Sequence, residues 1–152
     1  MAARDDASES TFTAEERAAM REHVAEVTAS RKRGTTKAEK AALDAQAVVE
    51  KIAAMPEPDR GLAERIHRIA REAAPELTPK LWYGMPAYAK DGAVVFFFQD
   101  AAKFRARYST LGFQDPARLD DGSFWPTSFA VTPDFSDADE QRVAELIRRA
   151  TA

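Results

Sequence analysis

The chain has 152 residues, a formal net charge of −3 and no cysteine. A single domain of this size buries roughly 70% of its unfolded surface and needs no staple, and the lack of thiols excludes disulfides, thiolate metal sites and cysteine nucleophiles, which fits a reducing cytoplasm. The acidic balance speaks against nucleic acid, whose binders carry a net basic footprint. Residues 1–78 hold thirteen basic and fifteen acidic side chains and residues 79–152 hold nine and ten, so neither half is a charged tail.

In chain order, Met1 to Ser10 is polar and lacks a stretch of signal-peptide length, and no later run is long and apolar enough for a bilayer. The expectation is a cytoplasmic protein without a membrane partner. The next segment is rich in alanine, glutamate, arginine and lysine, a helix composition. Thr13 with Glu16, and Thr36 with Glu39, are capping-box starts, and Gly34 between them is a natural stop. Two antiparallel helices follow. Ala18, Met20, Val24 and Val27 mark a weak face on the first, and Ala45, Val48, Val49, Ile52 and Met55 a stronger face on the second. So thin a stripe suits a hairpin lying on another element. The basic run Arg31-Lys32-Arg33, with Lys37 and Lys40, reads as a solvated loop.

Pro56 and Pro58 mark a boundary, and Leu62, Ile66, Ile69, Ala70 and Ala73 keep helical spacing up to Pro75. The period then becomes strand-like. Lys80 to Tyr83 turns at Gly84-Met85-Pro86, and Asp91-Gly92 joins Pro86–Lys90 to Ala93–Phe98 through a primed turn. Lys103 to Ser109 alternates, with Phe104, Ala106 and Tyr108 on one face and Lys103, Arg105 and Arg107 on the other, which predicts a half-buried strand. Asp115-Pro116 reads as the start of a short helical turn, Ser128 to Thr132 as a strand, and Ser136 with Asp139 as the start of a last helix buried through Val143, Leu146, Ile147 and Ala150. The class is α+β: an antiparallel sheet of about five strands with helices on one face, preceded by a helical hairpin. The division is a helical extension over 1–55 and a domain over 56–152.

Thirteen of the fourteen aromatic residues lie between Trp82 and Phe135. The run Phe96-Phe97-Phe98 must put rings on both faces of its sheet, so something has to cover the second face: a ligand, the extension or a partner subunit. If Lys103, Arg105 and Arg107 share that face with alternate phenylalanines, the surface suits a planar or anionic ligand held by stacking and charge-assisted hydrogen bonds. Trp82, Tyr83, Met85, Tyr88 and Trp125 complete the candidate ligand-binding set. No catalytic or metal residue is assigned. His23 and His67 sit on predicted helices without ligand spacing and read as ordinary helix residues, and no nucleophile elbow, phosphate loop or dinucleotide fingerprint is present.

From about Pro56 onward, the order of elements and the stretch Trp82-Tyr83-Gly84-Met85-Pro86-Ala87-Tyr88 resemble the YdhG-like family of small bacterial domains, some described as frataxin-like iron chaperones. The resemblance implies helices packed on an antiparallel sheet, and iron as the one cofactor to test. It also implies a histidine soon after the strand lysine, where this chain reads Lys103-Phe104-Arg105-Ala106-Arg107. The leading expectation is a non-enzymatic module that binds a small ligand or protein partner and exists as a monomer or homodimer, with no cofactor. The alternatives are an iron carrier using exposed carboxylates such as Asp120-Asp121 or Asp137, Asp139 and Glu140, and an enzyme acting on a small anionic substrate with Lys103 or Arg107 as a clamp.

Overall fold

A computed structural model describes residues 12–32 and 36–152, with five helices and one five-stranded antiparallel sheet among them. The polar start, Gly34 and Arg33 of the basic run lie outside the described residues. Helix α1 spans Ala14–Lys32, α2 Lys37–Ala53 and α3 Asp59–Ala73. Strands β1 (Thr78–Trp82), β2 (Met85–Lys90) and β3 (Ala93–Gln99) follow, then the single turn α4 (Ala101–Phe104), β4 (Ser109–Phe113), β5 (Ser128–Val131) and α5 (Asp137–Thr151).

Local chemistry accounts for most of these ends. Glu16 and Thr13 exchange side-chain-to-backbone hydrogen bonds at the start of α1, Glu39 N–H donates to Thr36 Oγ1 at α2, and Ser136 with Asp139 forms a full capping box at α5. Strands run in sequence order, β1-β2-β3-β4-β5. Two-residue turns with both central φ angles positive join β1 to β2 at Tyr83-Gly84 and β2 to β3 at Asp91-Gly92. The first of these lies one residue earlier than the spacing predicts, so Met85 and Pro86 belong to β2. Asp115-Pro116 forms a turn and not a helix, closed by Ala117 N–H to Gln114 O.

Register sorts the aromatics onto two faces. Tyr88, Phe96, Phe98, Leu111, Phe113 and Phe129 face the helices α3 and α5, which pack on each other and supply Leu62, Ile66, Ile69, Val143 and Ile147 to the same core. The opposite face carries Lys80, Trp82, Ala87, Phe97 and Gly112. Phe97 lies across Gly112, where a Cβ would collide with its ring, and Trp82 leans on Phe97 with ring centroids 5.3 Å apart. Helix α2 packs against the edge strand β1 and reaches β2. Through Val48, Ile52 and Met55 it joins the main core.

One predicted element is corrected. Lys103 to Ser109 is not a strand: β3 ends at Gln99, α4 takes Lys103 and Phe104, Arg105 turns back at φ 52°, and β4 begins only at Ser109. The cause is a buried carboxylate from elsewhere in the chain. Asp59, at the head of α3, accepts from Ala102 N–H at 2.8 Å, while Ala101 N–H donates to Ser109 Oγ at 3.1 Å. Those bonds wind the backbone against an alternating sequence, since tertiary partners override a weak strand preference. Lys103, Arg105 and Arg107 therefore do not form a sheet face.

Candidate functional site beneath the first helix

The β1–β2 turn and the β3–β4 connection leave the same end of the sheet, and α1 crosses both. Glu15, Ala19, Glu22 and Glu26 recur at helical spacing and form the inward stripe of α1. Glu15 Oε1 meets Arg105 Nε at 2.8 Å, Glu22 pairs with Lys103 and lies 3.6 Å from Lys51 Nζ, and Glu26 Oε1 accepts from Gly84 N–H at 2.8 Å. His23 stacks on the Tyr83 ring at 4.0 Å and 11°. Lys103 also donates to Tyr83 O at 3.2 Å.

Gly84 is required twice over. Its φ of +74° favours glycine, and a Cβ there would fall on the Glu22 carboxylate and the Lys103 ammonium. The ion pair thus occupies the space a side chain would need. Ala19 is the only apolar side chain of α1 that is fully buried among the described residues, so charge and hydrogen bonding seat this helix.

Two open clefts lie between it and α2, one along each half of α1. One of about 540 Å³ is lined by His23, Glu26, Lys40, Asp44, Lys80 and Leu81, and the other, of about 560 Å³, by Glu15, Glu22, Lys51, Met55, Asp100 and Lys103 among others. Both are large enough for a small ligand. Three buried polar atoms on their walls lack a hydrogen-bond partner: His23 Nδ1, Glu26 Oε2 and Asp100 Oδ1. The first two face each other at 3.6 Å. Burial pushes the Asp100 carboxyl above its ordinary range, and the charge of Asp59 adds to the push, against the pull of its own backbone amide, Lys103 and Lys51.

The sequence-predicted residues are only partly brought together. Trp82, Tyr83 and Met85 lie in or beside the β1–β2 turn, where Lys103, its side chain 14% exposed, donates to Tyr83 O; Met85 is buried. Arg105 is a rim residue held by Glu15, and Arg107 is exposed, its guanidinium 5.0 Å over the Tyr108 ring. Tyr88 lies on the opposite face, in the core, stacked on Phe96 and bonded to His67. Trp125 packs against the core from the β4–β5 connection, which leaves the other end of the sheet. Sequence reasoning gave no site role to Glu22, Glu26, Lys51 and Asp100 and read His23 as an ordinary helix residue. The recurrence of glutamate at 15, 22 and 26 was the available signal for the first helix; nothing local marks Lys51 or Asp100.

The acidic residues considered for iron are otherwise engaged or dispersed. Asp139 caps α5, Glu140 accepts from Arg65 and Arg68, and Asp120 and Asp121 are exposed on a loop. Among the described residues no group of three or more metal-ligating side chains is gathered, and no helix is long and apolar enough to cross a membrane. No protein-family model, curated protein or solved structure matches the chain.

Proposed function

We propose that this protein is a cytoplasmic binding module of the YdhG-like kind, whose site is the seat beneath α1 and takes a ligand or protein partner there. The observation that carries this reading is the way α1 is held: three glutamates on cationic and amide donors, one buried alanine, and two clefts between it and α2. An element with so little apolar burial belongs to the low-stability end of a fold, where binding elements are drawn from. The Trp82–Tyr88 stretch that resembles YdhG-like domains supplies the turn on which α1 rests.

Two measurements test it. In hydrogen exchange, α1 amides should exchange far faster than those of α3 and α5. Native mass spectrometry of the purified protein should show any copurified mass lost on Lys103→Met with the fold retained. If α1 is protected as strongly as α3, it is a fixed structural layer and the reading fails.

A further inference from the structure

Helix α1 turns three glutamates toward the body of the protein and leaves the apolar Val24 bare. Glu15, Glu22 and Glu26 turn inward with side chains 23%, 37% and 19% exposed, while Val24 is 65% exposed and Met20 and Val27 are 38% and 37% exposed. A helix docked on a core ordinarily does the reverse. The seat therefore selects carboxylates: it offers Lys51, Lys103, Arg105 and the Gly84 amide along a line that matches one face of a helix, beside the flat Tyr83 ring.

Resting on the site proposed above, we infer that this seat is a recognition surface for an acidic helical segment of a partner protein, and that α1 fills it in cis as a built-in competitor. The partner segment presents carboxylates at i, i+7 and i+11, the spacing of Glu15, Glu22 and Glu26, over about 16 Å of helix. Carboxylates are the fitting chemistry because three of them already occupy the donors with helical spacing. The clefts of about 540 and 560 Å³ beside α1 leave room for side chains bulkier than Ala18 and Ala25, which border them.

The probe is a labelled synthetic peptide of residues 12–32, followed by fluorescence anisotropy. The full chain carrying Glu15→Gln, Glu22→Gln and Glu26→Gln should bind it, whereas the unmodified chain binds about tenfold or more weakly because its own helix holds the seat. A peptide with the same three glutamines should not bind, nor should the glutamate peptide bind once Lys103→Met is added. Should the triple variant misfold, Glu22→Gln alone serves, with a smaller gain. Equal binding of the two peptides, or none by a folded variant, overturns the inference. Rapid exchange of α1 without glutamate-dependent binding overturns the acidic partner and leaves the site beneath α1 standing; an α1 that never opens overturns both.

Discussion

Glu22 of α1 and Lys103 of α4, 81 positions apart, meet in the space left by the absent side chain of Gly84. The β1–β2 turn is thereby tied to the seating of a helix more than fifty residues upstream. The same glutamate lies near Lys51 of α2, so one carboxylate links α1, α2 and the β3–β4 connection.

Gly84→Ala tests that dependence against Gly92→Ala. Both glycines have positive φ, +74° and +83°, but a Cβ at Gly92 meets open space. Backbone strain alone should cost Gly92→Ala about 1 kcal/mol, while Gly84→Ala adds the displaced ion pair and should cost roughly 2 kcal/mol or more. Denaturant midpoints give the comparison, and only Gly84→Ala should release α1 in hydrogen exchange. Equal losses would mean that the pair simply rearranges.

Raising sodium chloride from about 50 mM to about 500 mM shortens the screening length severalfold. The contacts that hold α1 are partly exposed, so its amide protection should fall with salt while that of α3 stays constant. Salt-independent protection would assign the seating to the stack of His23 on Tyr83 and to Ala19.

His67 and Tyr88 give a pH prediction within the core. Tyr88 hydroxyl and His67 Nδ1 are 2.9 Å apart; burial, helped by the charge of Arg71, lowers the His67 pKa below its ordinary 6.5, and burial holds the Tyr88 phenol protonated well above its usual range. Because the folded state binds the His67 proton less tightly than the unfolded state, its contribution is full above pH 6.5 and is lost as pH falls toward the folded value. Tyr88→Phe should cost about 1 kcal/mol at neutral pH. An NMR titration of the His67 ring that midpoints above 6.5 would contradict this environment.

Asp100→Asn should stabilise the protein at neutral pH, by about 1 kcal/mol, because it removes a buried charge acceptor left without a donor at Oδ1. The folded pKa is raised, so the native state holds the proton more tightly than the unfolded chain and ionisation opposes folding. The gain is therefore absent below the ordinary value of 3.8, grows as pH rises through the folded pKa and then levels off. A variant less stable than the original at pH 7 would show that the carboxylate is needed for its lysines.

What the sequence by itself determined is the local grammar: three capping pairs, the Asp91-Gly92 turn, the split of Phe96, Phe97 and Phe98 across two faces, and the α+β class that follows. These rest on interactions within three or four residues or on the twofold period of a strand, so the pattern contains its own cause. Tertiary structure decided the rest. The alternation from Lys103 to Ser109 yielded to Asp59, 43 positions before Ala102, because a buried carboxylate and the amide it caps must satisfy each other. The inward stripe of α1 became legible only beside Lys51, Lys103, Arg105 and Gly84, since a glutamate on a helix surface looks the same in sequence whether water or a lysine faces it.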